Sequence, residues 1–148
     1  MKKTILIVSA TIISFATIAF GQDILQSHVP SVIVNNFHQI YPKAHDVEWE
    51  LDAERYKVEF KTGYGTDHEI WFDKTGKQIR HKEEISKSSL PKKVLDKISI
   101  NFGNYRVDDV EKITESDQTI YKLELKSFTE EWKVVFDNEG NVLSKVAD

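Results

Sequence analysis

Tyr56-Lys57-Val58-Glu59-Phe60, a loop, and then Phe72-Asp73-Lys74-Thr75-Gly76 form the stretch that decides the fold, because the chain contains it twice. The second copy is Tyr121-Lys122-Leu123-Glu124-Leu125, a loop, and Phe136-Asp137-Asn138-Glu139-Gly140. The two tyrosines stand 65 positions apart and the two Phe-Asp-x-x-Gly units 64 apart. Within each copy apolar and charged residues alternate, the period-two pattern of a half-buried strand. The chain reads as an internal duplication.

Around the first copy the elements fall into place. Upstream, Val47, Trp49 and Leu51 alternate with Glu48 and Glu50, and Asp52 to Arg55 turns the chain. Thr62 to Asp67, with Gly63 and Gly65, reads as a hairpin tip. His68, Ile70 and Phe72 return on one face, with Glu69 and Trp71 on the other. A fourth strand is expected over Gln78 to His81. Before the strands, Pro30 opens a helix. Ile33, Val34, Phe37, Ile40 and Tyr41 form its apolar stripe, and Pro42 stops it. Gln22 to Val29 reads as a frayed start.

The plan restarts after a charged, Ser-containing linker. Leu90-Pro91 opens a helix with Val94, Leu95, Ile98 and Phe102 on one face, ended by Gly103-Asn104. Val107, Val110 and Ile113 mark a strand of irregular alternation. Tyr121 to Leu125 and Trp132 to Phe136 are the next two, joined by the tip Lys126 to Glu130, and Val142-Leu143 is the last. Each sheet has one apolar face, and the single helix of each repeat is its cover. The fold class is therefore α+β: two tandem α-β-β-β(-β) repeats, each an antiparallel sheet with a helix on one face. Lys57 and Glu69 are placed across from one another, a pair worth about 0.2–1 kcal/mol.

The first residues read as a signal peptide. Lys2 and Lys3 precede a 17-residue run from Thr4 to Phe20 without a charge. Small residues at Ala19 and Gly21 place the cut between Gly21 and Gln22. A spanning anchor would need about 20 apolar residues. The expected organisation is residues 1–21 as signal peptide, 22–81 as repeat one, 82–89 as linker and 90–148 as repeat two. Cleavage leaves 127 residues and moves the formal charge from −4 to −6.

Composition excludes several functions. An acidic chain without a basic stripe argues against nucleic acid. There is no cysteine among the 148 residues. No disulfide, thiol nucleophile or thiolate metal site can form, and no cysteine follows the leader to carry a lipid. The product is expected in the periplasm or outside the cell, with no membrane attachment once the signal is removed.

No catalytic constellation stands out. Asp73-x-x-Gly76 and Asp137-x-x-Gly140 lack the ligand count of a calcium loop and read as hairpin turns. The five histidines, at 28, 38, 45, 68 and 81, show no i, i+4 zinc spacing and read as scattered surface or edge residues. Glu48/Glu50 and Glu83/Glu84 could serve as carboxylate pairs, but no pocket-forming sequence surrounds them. Neither a cofactor nor a metal is expected. Trp49 and Trp132 share parity with the core. Trp71 does not, and stands either outward as an interface anchor or under a loop or the other repeat. Tyr64 and Phe128 occupy equivalent hairpin tips, where exposed aromatics suit contact.

Pro opening a helix, Val47-Glu48-Trp49-Glu50, Tyr-Lys-Val-Glu-Phe and Phe-Asp-x-x-Gly, all repeated in a cysteine-free exported chain, resemble the PepSY-like, β-lactamase-inhibitor-like family of small periplasmic proteins. The resemblance covers Val29 to Val146. It implies helices packed on one face of an antiparallel sheet, and a non-enzymatic protein. The inhibitor behind the family's name grips its target with a concave sheet and hairpin tips, but this chain has no recognisable copy of its disulfides or contact residues. The expected function is an exported binding or inhibitory module that recognises an envelope protein or peptide through Tyr64, Trp71 and Phe128. The alternative is a carrier of a small molecule or peptide between the repeats.

Overall fold

The computed structural model describes residues 21–148. Residues 1–20 of the expected signal peptide, 1–21, lie outside them. Nine strands form one antiparallel sheet in sequence order. They are β1 (Gln22–Ile24), β2 (His45–Asp52), β3 (Arg55–Thr62), β4 (Thr66–Phe72), β5 (Gln78–Glu84), β6 (Arg106–Glu115), β7 (Gln118–Lys126), β8 (Glu131–Asp137) and β9 (Val142–Ala147). Helix α1 (Ser31–Ile40) joins β1 to β2, and α2 (Lys92–Phe102) joins β5 to β6. The two repeats thus share one continuous sheet, with β5 pairing β6 at the seam.

Both helices cover the same kind of apolar face. Under α1, Ile33 and Phe37 pack on Trp49, Val58, Phe60 and Ile70. The Phe37 ring meets Trp49 at 5.4 Å and Phe60 at 5.0 Å, both edge-on. Such pairs add about 0.5–1.5 kcal/mol each beyond burial. Under α2, Val94 and Ile98 pack on Leu123, Leu125, Val134 and Phe136. Pro30 and Pro91 cap the two helices at corresponding places. Tyr41 leaves helical geometry at φ −123°, ψ 65°, as the proline after it requires.

The Phe-Asp-x-x-Gly units are turns with a second task. Asp73 Oδ1 accepts from the Thr75 and Lys77 amides at 2.8 and 3.1 Å. Asp137 Oδ1 does the same for Glu139 and Asn141, both at 2.9 Å. The carboxylates thus close their own turns. Gly76 and Gly140 take φ of +88° and +81° and lie beneath the helices. Asn36 of α1 donates to the Gly76 carbonyl at 2.9 Å. A Cβ on Gly140 would sit 2.6 Å from the Lys93 carbonyl oxygen. The motif recurs because each copy seats a helix.

Four readings of the sequence change. Gln22–Ile24 is not frayed; Asp23 pairs with Glu50 as an edge strand. The linker expected over 82–89 begins as strand, since β5 runs to Glu84 and carries the seam. Ile40, placed in the apolar stripe of α1, is exposed. The irregular alternation of Val107, Val110 and Ile113 is a bulge, with the register shifting between Asp108 and Glu111. Asp109 takes φ +45° there, and Asp46 takes φ +51° at the matching bulge in β2. The extra residue keeps Val107 and Val110 inward and turns Ile113 to the other face.

Candidate functional site

Two surfaces of the sheet carry chemistry. The first is the face away from the helices, together with the end where β3 turns into β4 and β7 into β8. Strands β3 and β7 run the same way in this antiparallel order, so both hairpins project from one end. Tyr64 and Phe128 stand at their tips, 113% and 110% exposed. They are separated by four strand spacings, roughly 19 Å. Their supports differ. Gly63 and Gly65 hold φ of +57° and +115° around Tyr64, with nothing near their missing side chains. Beneath Phe128 the Ser127 hydroxyl accepts from the Glu130 amide at 3.0 Å and donates to the Glu130 carbonyl at 3.2 Å.

Between these tips, at the seam, lies a hollow of about 280 Å³ lined by Asp67, His68, Glu69, Lys82, Glu84, Asp109 and Glu111. Lys82 bridges Glu69 and Glu111 across the seam. Despite burial, these contacts raise its pKa above the ordinary 10.5. Lys57 reaches Glu50 at 3.2 Å and Glu69 at 3.6 Å, so the expected Lys57–Glu69 pair is present. Glu48 and Glu50 share this outer face, whereas Glu83 and Glu84 alternate to opposite faces.

Trp71 does lie on this face, opposite Lys57 in the ladder, but it is only 7% exposed. Arg80 stacks over its ring at 4.7 Å and Lys57 lies 5.7 Å away. Its indole N–H donates to Asp52 at 2.9 Å. Trp71 is therefore not an accessible contact. The charged heads of Lys57 and Arg80, from its own repeat, lie over the ring, cation–π contacts that shield it from water. Val135 holds the equivalent place in the second repeat and is also buried.

The second surface is the helix side of the seam. His68 is 8% exposed, and its Nδ1 lies 3.1 Å from His81 Nε2. The rings stack at 5.3 Å, and Phe60 stacks on His68 at 5.0 Å. His68 Nε2 is 2.8 Å from the Thr62 hydroxyl. Glu83 Oε2 is 4.0 Å from His68 Nδ1, while Lys112 donates to Glu83 Oε1 at 2.9 Å. Burial pushes both imidazoles below the ordinary 6.5, against the pull of Glu83. Burial raises the Glu83 carboxyl, but Lys112 outweighs it and leaves its pKa below 4.5. The reading of scattered histidines is corrected for this pair. His68 and His81 lie on adjacent strands where His68 faces Glu83 and His81 faces Ile70, a cross-strand proximity that spacing along the chain does not display.

The sequence model of the family described as "Putative beta-lactamase-inhibitor-like, PepSY-like" matches residues 19–67 and 54–144. The chain belongs to this PepSY-like family. Two matched segments in one chain agree with the duplication. No curated protein matches it. Among solved structures, it is similar to a "putative periplasmic" protein from Bacteroides eggerthii, with 18% identity, TM-score 0.70, and 81% of this chain and 89% of the other covered. A DUF2874 family protein from Bacteroides uniformis has 19% identity, TM-score 0.67, and coverage of 80% and 88%. A BLIP-like protein from Bacteroides fragilis has 21% identity, TM-score 0.65, and coverage of 80% and 85%. At these identities the likeness is one of fold. Among the described residues of this PepSY-like chain, no helix is long and apolar enough to cross a membrane.

Proposed function

We propose that this PepSY-like protein is an exported, non-enzymatic binding module of the bacterial envelope, which grips a protein partner with its two hairpin tips and the acidic hollow between them. The observation that carries this reading is the pair Tyr64 and Phe128. They recur at equivalent tips, project from one end and are fully exposed, although burying an aromatic ring is worth about 2–3 kcal/mol. Aromatic anchors of this kind supply most of the energy at protein interfaces. The hollow between them adds a preference for a partner that presents a Lys or Arg side chain: Lys57, Lys61, Lys82, Lys122 and Lys126 pair with Asp67, Glu69, Asp109 and Glu111 around it, and Glu84 of its lining has no ion pair among the described residues. A charged hollow of this size favours a protein's cationic side chain over a free apolar ligand. β-Lactamase is not singled out as the partner, because the fold alone does not carry an activity.

The test is capture of envelope proteins on immobilised protein. A partner retained by the wild type and lost by Tyr64→Ala/Phe128→Ala supports the reading. Glu84→Gln/Asp109→Asn is expected to weaken retention and reduce its sensitivity to salt. Equal retention by wild type and the tip variant would remove the tips from the interface.

A further inference from the structure

His68, His81, Glu83 and Lys112 lie on the helix side of the sheet, and of these only His68 also borders the hollow. We propose that His68 Nδ1, His81 Nε2 and Glu83 Oε2 form a binding site for one divalent cation of the zinc class. The three ligand atoms converge within 4.8 Å of one another. Tetrahedral zinc with bonds of about 2.0–2.1 Å places neighbouring ligand atoms roughly 3.3 Å apart. The observed separations of 3.1 Å between the imidazoles and 4.0 Å between His68 and Glu83 bracket that value.

The surroundings fit ligands held in place. A metal-bound imidazole donates its other N–H to a neighbouring acceptor, which fixes its tautomer. Here Thr62 Oγ1 stands 2.8 Å from His68 Nε2. Lys112 occupies Glu83 Oε1 and leaves Oε2 turned to the histidines, a monodentate arrangement. Phe60 and Tyr41 pack against the His68 ring at 5.0 and 6.2 Å, and His68 is nearly enclosed, while His81 and Glu83 stay partly open to solvent. Two imidazoles and one carboxylate suit zinc and its neighbours rather than calcium or magnesium, which take oxygen ligands. Binding replaces the hydrogen bond between the two imidazoles; its proton moves to the other nitrogen of its own ring, so that each ligand stays a neutral imidazole with one N–H. The cation then ties β4 to β5 beside the seam, a staple for a chain that has no cysteine to make one. The trio Glu124, Glu131 and Asp148 also converges, but it is all carboxylate and is engaged by Lys126 and Lys133.

The experiment is titration of the chelator-treated, dialysed protein with zinc chloride, read by calorimetry, with cobalt absorption reporting coordination. The expected result is one equivalent bound, a ligand-field band of four-coordinate type and a raised melting temperature. His81→Gln and Glu83→Gln should each weaken binding about tenfold or more, and His28→Gln/His38→Gln/His45→Gln should leave it unchanged. His81 and Glu83 are the chosen positions because they are partly exposed, and circular dichroism checks that each variant is folded. If one of them fails to fold, the other gives the reading. No zinc bound by the wild type, or binding that survives both substitutions while the triple variant loses it, would overturn the site.

Discussion

Trp71 shows how a residue can be placed on the right face and still be assigned the wrong role. Its parity sets it among Lys57, Glu69 and Arg80, and the ladder pairs it with Lys57 and Arg80. What parity does not contain is the length of the neighbours. An arginine stacked on an indole gains about 0.5–2 kcal/mol and removes the ring from water. Trp71→Ala is therefore expected to destabilise the fold by about 3 kcal/mol or more, with Trp71→Phe costing less, as measured by urea unfolding. A loss below about 1 kcal/mol would show that the ring is not packed as described. Tyr64→Ala and Phe128→Ala should each change stability by less than about 0.5 kcal/mol, because neither ring is buried.

At the level of elements, the strands and both helices were legible because period two and helical spacing are local signals. Val58, Phe60, Ile70 and Phe72 all turn inward as their alternation demands. The bulge at Asp109 is legible only as broken alternation, and the one at Asp46 is not legible, because Val47, Trp49 and Leu51 keep a period of two after it. The His68–His81 contact was not legible, because it depends on register between β4 and β5. The recurring glycines of the Phe-Asp-x-x-Gly units form turns, and the helix above each is the second reason for them. That separates two glycines by their expected cost. Gly63→Ala meets open space and carries only the positive-φ strain, about 1–2 kcal/mol. Gly140→Ala carries the same strain and also drives a Cβ onto the backbone of α2, adding about 1–3 kcal/mol. Denaturant midpoints of the two variants check this order. A Gly63 variant as damaged as the Gly140 variant would contradict the helix-seating role.

As a whole molecule, the chain is one sheet with two lids. The aspartates that close the corresponding turns set part of its response to acid. Hydrogen bonds from Thr75 hold the Asp73 carboxyl below its ordinary 3.8. Burial raises that of Asp137, but its bonds to Asn141 and the turn amides outweigh this and hold it below 3.8 as well. A depressed carboxylate stabilises the fold fully above its unfolded pKa, and that contribution disappears as pH falls through the folded value. Stability should therefore decline below about pH 4. Asp73→Asn/Asp137→Asn should lower stability at pH 7 and lessen the fall between pH 7 and pH 3, as followed by urea unfolding at each pH. An unchanged pH profile would remove the two turns as its source.

The proposed partner binding belongs to one end of the sheet and not to the helix face. A photo-crosslinking residue introduced at position 64, at 128, or at the exposed Ile100 of α2 tests it most directly in living cells. The expected result is the same adduct from 64 and 128, and none of that mass from 100. No adduct from either tip, or the same adduct from position 100, would contradict it.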